Sequence, residues 1–508
     1  MSGSLWDLYR ALVVDLDPIL ADMSAHGVRI DREAQARLGE KVGREIEEIT
    51  AVIQPLVPRE IKPKSLYKTK KYWREDWEWR PRAGMVKSCS ICGATGITKA
   101  THFRGGKKNE CVRREGKVVM IPGQLDSWIV THDFNPLSVA QLADYAGWFG
   151  HRLGTNIKTH KTTLDDRTMR RLIERYGRDH PLYAHALRLR ALARVKSTYV
   201  EGFAPDERGR ITGYFNHNPE TLRLAQSNNN LMNVSHRGSA LYAREIRETI
   251  IPSEGCVFVE ADSTAIEAVI VGYLAGDREY QERAALGIHA DVCLKILNLP
   301  FTPENVAWVK REHPDLYERV KRTVHMTNYG GTPKMLAYQY PHVFPNEAEA
   351  KAAQDAYINA WPRIAEWWEE TRAFAHKYGY LANPWGFRNE FFNVYRRSRE
   401  GKVYLGEDGK EVIAFGPQSS AGIFMRENLK LIGATWARPF MPAIGSVHDS
   451  VCLDVPEDRV EEAVELLIAT LTRPIPQLGG LRVGCEVKIG KHNWAEMTTL
   501  KVVKGDNK

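Results

Sequence analysis

Apolar residues recur at helical spacing from the start of the chain. Leu12, Leu16, Leu20 and Met23 share one helix face, Gly27-Val28 interrupts the pattern, and Asp31 offers an N-cap to a second helix running through Ile49 and Ile53. From Pro55 to about Pro122 that period disappears. Aromatic and basic residues interleave instead (Lys68, Lys70, Lys71, Tyr72, Trp73, Trp77, Trp79, Arg80, Arg82), and a cysteine cluster and a basic run at Arg104, Lys107 and Lys108 follow. This predicts an insertion with its own small fold. Residues 134–203 return to helix, with Leu187, Leu189, Leu192 and Val195 set among basic residues. Further along, the pattern predicts a strand–helix unit at 256–275, a long helical stretch at 303–340, helices at 346–378 and 418–435, and a β-hairpin at 442–455. The chain is therefore expected to be α+β with a helical majority.

Composition narrows the class. The chain has 508 residues, 43% hydrophobic and 26% charged, an ordinary globular balance. At roughly 100–200 residues per domain this length suggests two to four domains. The longest apolar stretch, Val269–Ala275, is closed off by Asp277, Arg278 and Glu279, far short of the ~18–20 apolar residues a membrane span needs. Met1–Arg10 carries no secretory pattern, so an intracellular, cytoplasmic location is expected. Seven cysteines, three of them clustered, do not make a disulfide framework. The net charge of +8, from 71 Lys+Arg against 63 Asp+Glu, suits a polyanion partner without requiring one.

Candidate chemistry lies in three segments. Cys256-Val-Phe-Val-Glu-Ala-Asp262 is a short strand ending in a carboxylate, and Ile266, Val269, Ile270, Tyr273 and Leu274 then follow at helix spacing, which puts Glu267 in a first helical turn. Far downstream, Ile444-Gly-Ser-Val-His448-Asp449 opens a hairpin whose turn would present His448 and Asp449. Two strand-borne carboxylates that converge can hold a pair of Mg²⁺ ions for in-line attack on a nucleotide phosphate. Taken singly, each Asp also reads as a solvated turn former. Between them, Lys321, His325 and Tyr329 stand at i, i+4 and i+8 on one helix face, placing a cation, an imidazole and an aromatic ring together. That face suits a nucleoside triphosphate, and by itself it also reads as an amphipathic surface helix.

In combination these segments resemble the polymerase domain of family A DNA polymerases, the bacterial DNA polymerase I and phage replicase group. Leu20–Asp31 is similar to the segment that opens that domain. Phe134-Asn-Pro-Leu-Ser138 with Gln141-Leu142, Lys161-Thr162-Thr163 and Arg194–Tyr199 are similar to its thumb and palm entry, and Leu222-Arg223-Leu224 with Asn230–Val234 to its primer-template contact region. Asp262–Glu267, Lys321–Gly330 and Val447-His448-Asp449 resemble the first catalytic motif, the fingers helix and the third motif. The resemblance implies a right-hand fold of palm, fingers and thumb. Its divisions are N-terminal helices over 1–55, the insertion at 56–122, thumb at 123–215, palm at 216–290 and 381–508, and fingers at 291–380.

It also implies roles. Asp262 and Asp449, with the Ser263 carbonyl, would ligate two Mg²⁺ ions. Glu267 would crowd the sugar 2′ position, Lys321 would neutralise the α-phosphate region, and His289 would reach the β- or γ-phosphate. Tyr329 would stack near the insertion site, and His325 shares that nucleotide-binding face. Arg223, Asn233, Arg388, Gln418 and His448 would line the primer-template. The implied activity is template-directed addition of dNTPs to a primer 3′-hydroxyl. An upstream proofreading domain would have no room before a polymerase-like region that starts within the first 20 residues, so a separate exonuclease, helicase or processivity factor is the expected further partner.

Departures keep other readings open. His325 stands where relatives usually have Phe or Tyr, Tyr317 where an Arg is usual, and Ser450 replaces the Glu that follows the third-motif Asp. A register shifted by four would instead put His325 on the lysine and Lys321 on the arginine; the register chosen keeps the lysine and the Tyr-Gly pair together. Lesion bypass or gap filling on the same fold, and a single-subunit RNA polymerase, are the enzyme alternatives. A non-catalytic zinc-containing DNA-binding protein is the non-enzyme one. The zinc candidate is Cys89-Ser-Ile-Cys92-Gly with His102 and Cys111, a CxxC knuckle with two further ligands. Its basic and aromatic flanks suit nucleic-acid backbone contact and stacking.

Overall fold

The computed structural model describes residues 5–67, 78–79, 82–95, 97, 103–104, 107–108, 117–125, 127–155, 162–217, 220–234, 240–341, 343–435 and 449–505. It divides into two compact units, one of residues 1–43 with 194–508 and one of 44–193.

The larger unit is organised around a four-stranded antiparallel sheet in the order Ser450–Pro456, Cys256–Ser263, Cys485–Gly490, Thr498–Val503. Cys256–Ser263 is central because its alternate residues Val257, Val259 and Ala261 are all buried against helices. The Ile266–Ala275 helix covers that face with Ile266, Val269 and Ile270, and the Glu411–Thr435 and Val460–Leu471 helices join the same core through Phe424, Leu429, Ala463 and Leu467. A small sheet pairs Val28–Ile30 with Arg210–Ile211 and Ile250–Ile251. The opposite face of the central strands is partly polar. There Glu260 accepts from the Trp494 indole at 2.9 Å, and Asp454 accepts from the Ser253 N–H at 3.0 Å and stands 3.3 Å from the His26 imidazole.

Prolines cut the helical stretch expected at 303–340 into Pro303–Glu312, Pro314–Asn328 and Pro333–Gln339. The 346–378 stretch likewise breaks at Trp361 into Glu347–Ala360 and Pro362–Tyr378, because proline opens a new helix at its first position more readily than it continues an old one. Helix expected from 418 begins earlier, at Glu411. Of the hairpin expected at 442–455, the strand Ser450–Pro456 is present and residues 442–448 lie outside the described residues.

The smaller unit has its own core, in which Phe134, Tyr145, Leu172 and Tyr183 pack with Ile53 and Leu189. Its helices Val139–Trp148 and Asp166–Tyr176 are capped by the Ser138 and Asp165 side chains. A short hairpin, Gly154–Thr155 with Thr162–Thr163, interrupts the helix expected over 134–203. Within the 56–122 insertion, Arg82–Cys89 pairs antiparallel with Val118–Leu125. No helix among the described residues is long and apolar enough to cross a membrane.

One buried cation ties distant segments of the larger unit together. Arg426, fully buried on the Glu411–Thr435 helix, donates to the Leu222 carbonyl at 2.6 Å and the Leu12 carbonyl at 2.9 Å, and it meets His217 Nδ1 at 2.6 Å. Burial pulls its guanidinium down to about 10. Removing the side chain would strand two carbonyls away from water, so Arg426→Met is expected to cost about 3–5 kcal/mol in urea unfolding. A loss under ~1 kcal/mol would show that this node is not structural.

Candidate active site

Asp262 occupies the last turn of pleat in the Cys256–Ser263 strand, opposite Ser450 on one side and Glu486 on the other. The Ser263 N–H donates to the Asp449 carbonyl at 2.9 Å, which fixes Asp449 beside the end of the strand that carries Asp262. The chain then turns sharply. Thr264 N–H donates to the Gly484 carbonyl at 2.8 Å, and Ala265 adopts φ +50°, a left-handed conformation uncommon for a residue with a Cβ. That turn starts the Ile266–Ala275 helix with Glu267 in its first turn, as the sequence pattern predicts.

Asp449 thus stands near two buried carboxyls, Asp262 and Glu267. Burial, then the charge of Asp449, pushes Asp262 up to about 7. The same two causes push Glu267 up to about 8. Glu267 pairs with Arg223, whose guanidinium burial holds below its ordinary value while the Asp449 charge acts the other way.

Glu267 and Asp449 line a cavity of about 350 Å³ together with His289, Lys321, His325 and Tyr329. Six of the residues selected from the sequence therefore converge. Lys321 and His325 come from the Pro314–Asn328 helix, whose C-cap is Tyr329, and the His325 and Tyr329 rings meet edge-on with centroids 5.3 Å apart. His289 follows a break in the Arg278–Ile296 helix at Gly287, where φ is +125°. Only glycine takes that conformation readily, and the break redirects the turn that carries the imidazole.

The rear of the Pro314–Asn328 helix is held by a buried polar network. Asn328 donates to the Tyr280 hydroxyl at 2.9 Å, Tyr357 donates to the Asn328 amide oxygen at 2.5 Å, and the two tyrosine hydroxyls meet at 2.8 Å. Gln354 adds bonds to the Thr327 hydroxyl at 3.0 Å and the Gly331 carbonyl at 2.8 Å. Because every member is satisfied in one geometry, the network fixes the turn that presents Tyr329.

Other selected residues lie away from the cavity. Asp262 is at the strand end behind Asp449, and Ser263 is buried beside it. Asn233 is in the Leu231–Asn233 turn, its carbonyl accepting from Tyr199 at 3.1 Å. Exposed Arg388 lies 3.6 Å over the Tyr380 ring, and Gln418 is half-buried on the Glu411–Thr435 helix. His448, His102 and Cys111 lie outside the described residues. Buried Cys89 ends its strand, and Gly93 donates back to the Cys89 carbonyl at 2.9 Å, so Cys92 sits in a tight turn. Arg322, Asn328 and Tyr340 also line the cavity, and the sequence reading did not select them. Asn328, at i+3 from His325 and i+7 from Lys321, shares their helix face and could have been selected by that spacing, whereas Arg322 and Tyr340 are brought to the cavity by tertiary packing.

Among the described residues no group of three or more His, Cys, Asp or Glu side chains is arranged to hold a metal ion. The donors present are the Asp262 and Asp449 carboxylates and the Ser263 carbonyl, all hard oxygens. They fit Mg²⁺, which takes one or two carboxylates and completes its shell with water and phosphate oxygens. A divalent cation is also the partner that would relieve two like charges buried side by side.

The raised Asp262 has a consequence for stability. A carboxyl whose folded value lies above its unfolded one stabilises the fold fully below about pH 4 and loses that contribution as pH rises through about 7. Metal-free protein is therefore expected to lose thermal stability between pH 4 and 8, and Asp262→Asn to raise Tm at pH 8 by roughly a few degrees. Parallel pH–Tm curves for the two proteins would contradict a buried, destabilising carboxylate.

Comparison with known proteins bears on the fold and the family. The family described as DNA polymerase family A matches residues 123–496. The thermostable DNA polymerase I of Thermus filiformis is 27% identical over 409 residues, covering 77% of this chain and 44% of that protein. The DNA polymerase I of Treponema pallidum is 24% identical over 336 residues, covering 64% of this chain and 32% of that one. This chain spans less than half the length of these curated relatives. Among solved structures, the POL domain of Pol1 from M. smegmatis, in complex with DNA primer-template and dNTP, superposes with a TM-score of 0.67 at 19% identity, covering 95% of this chain and 70% of that one. The mixed helix and strand fold is that of such a POL domain, and the match over most of its length makes this chain a member of DNA polymerase family A.

Proposed function

We propose that this chain is a template-directed DNA polymerase that adds dNTPs to a primer 3′-hydroxyl. The observation that carries the proposal is the convergence on one cavity of the Asp449 and Glu267 carboxylates with Lys321, His289 and Tyr329. In this reading the residues around the central sheet (216–290 and 381–508) are the palm, 291–380 the fingers and 123–215 the thumb. Its setting is the cytoplasm of a bacterial or phage-infected cell.

Each group has a task that follows from its chemistry. Asp262, Asp449 and the Ser263 carbonyl would hold two Mg²⁺ ions. When bound, the ions lower the pKa of the primer hydroxyl and stabilise the departing pyrophosphate. The bond formed is from the 3′ oxygen to the α-phosphorus; the bond broken is the one from that phosphorus to the bridging oxygen of pyrophosphate. Lys321 would neutralise charge near the α-phosphate, His289 would reach the outer phosphates, and the Tyr329 ring would stack at the insertion site with His325 beside it. Glu267, held by Arg223 in the first helical turn, would occupy the space that a ribose 2′-hydroxyl needs. Arg223, Asn233, Arg388, Gln418 and His448 would follow the primer-template.

The test is extension of a labelled primer on a DNA template with Mg²⁺. The intact chain is expected to add dNTPs as the template directs. Asp449→Ala is expected to lose about a thousandfold or more, the several kcal/mol that bound metal ions contribute to the transition state, and Glu267→Ala to admit ribonucleotides. Primer-template binding without extension under Mg²⁺ or Mn²⁺ would favour a non-catalytic DNA-binding protein instead. The proposal covers synthesis alone, so a mispaired primer end should stay intact when dNTPs are withheld.

For the insertion we propose a structural Zn²⁺ held by Cys89, Cys92, His102 and Cys111. Elemental analysis should find one zinc per chain, lost in Cys89→Ser with Cys92→Ser. Zinc-free protein of unchanged Tm would refute this.

A further inference from the structure

We propose that Arg322 is a polyphosphate-binding residue of the cavity, exchanging its Glu318 partner for the outer phosphates of an incoming nucleoside triphosphate. The inference rests on the proposed polymerase reading and names the cation that reading lacks.

Charge balance in the cavity raises the question. Asp449 faces it with Asp262 close behind, Glu267 is already paired with Arg223, and a nucleoside triphosphate would bring several more negative charges. Among the described lining residues, Lys321 and Arg322 are the permanent cations. One ammonium assigned to the α-phosphate region leaves the β- and γ-phosphates to His289 alone, unless Arg322 takes part.

Position answers it. Consecutive helix residues point about 100° apart, so Lys321 and Arg322 would ordinarily serve different faces. Here the guanidinium of Arg322 lies over the ring of Tyr340, 4.8 Å from its centroid, and Tyr340 itself lines the cavity. The ring supports the planar cation from one side and keeps it at the cavity wall. Tyr340 comes from just beyond the next helix, Pro333–Gln339, where the Phe344 and Val343 N–H groups both return to its carbonyl. The support is thus built into the fold.

Glu318 supplies the exchange. It sits one turn earlier on the same helix and accepts from Arg322 Nε at 2.6 Å. Its side chain is 42% exposed and it does not line the cavity. A partly solvated carboxylate is a weak competitor for an arginine fork that fits phosphate oxygens in pairs. Without a ligand the pair would store the guanidinium at the cavity edge. A triphosphate would draw it inward while Glu318 returns to water.

The experiment measures binding without chemistry. The full chain is loaded with a primer-template ending in a dideoxynucleotide, and the Kd of the next complementary dNTP is determined, with inorganic tripolyphosphate as competitor. Arg322→Ala is expected to weaken both ligands about tenfold, the loss of one charge-assisted phosphate contact, with primer-template Kd unchanged. Arg322→Lys should fall between, and it carries the test if the alanine variant does not fold. Glu318→Gln should bind both ligands at least as tightly as the parent. If Arg322→Ala stays within twofold of the parent while Lys321→Ala is weakened, the nucleotide site stands and Arg322 has no part in it. Weakened primer-template binding with both nucleotide constants unchanged would also overturn the proposal, placing Arg322 on a DNA strand. A parent chain that binds neither ligand would refute the reading of the cavity itself, and this inference with it.

Discussion

The structure depends on how two carboxylates are brought together at the end of one sheet. Antiparallel pairing sets Asp262 opposite Ser450, and the hydrogen bond from Ser263 N–H to the Asp449 carbonyl holds the residue before Ser450 at the same edge. A one-residue slip in that register would turn Asp262 into the apolar face that Ala261 and Val259 now occupy. The arrangement opposes stability, since burial and then the Asp449 charge raise both Asp262 and Glu267 far above ordinary carboxyl values. The large apolar core under the sheet offsets that cost, and a divalent cation at the strand end would remove it.

The rest of the unit holds this edge in register with the cavity-lining Pro314–Asn328 helix. Arg426 fixes the Leu222 carbonyl, and the next residue, Arg223, reaches Glu267. A mostly apolar helix thereby uses a single buried cation to position a second one at the site. On the far wall, the Tyr280–Asn328–Tyr357 network and the Gln354 bonds clamp the last turn of the Pro314–Asn328 helix from behind. Buried polar groups that are all satisfied permit one arrangement of their helices, whereas an apolar packing of the same volume tolerates several. Gly287 and Ala265 act on the backbone, with φ values that turn His289 and Glu267 toward the same space.

The resulting cavity is polarised. Acidic groups come from the strand edge and the first turn of one helix, and cationic and aromatic groups come from another helix and the segment after it. In the proposed reading such a space would take a ligand with negative charge at one end and a ring to stack, with a metal ion between, which is the shape of a metal-bound nucleoside triphosphate.

Much of this was legible in the sequence because it is periodic or local. The alternation ending at Asp262, the helix spacing that follows it, and the row of Lys321, His325 and Tyr329 each lie within one element, where 2- and 3.6-residue periods act directly. Within the helical stretches at 303–340 and 346–378 it is the prolines, local signals too, that open new helices at Pro314, Pro333 and Pro362. What no period encodes is contact between elements far apart in the chain. Nothing in the spacing marks Arg322 as lying against the Tyr340 ring, or Arg426 as enclosed by the Leu12 and Leu222 carbonyls and His217. Sequence spacing determines which side chains share a face. Only the tertiary fold decides which faces meet, because burial, charge pairing and the satisfaction of buried polar groups are properties of the packed space between elements and of no single element.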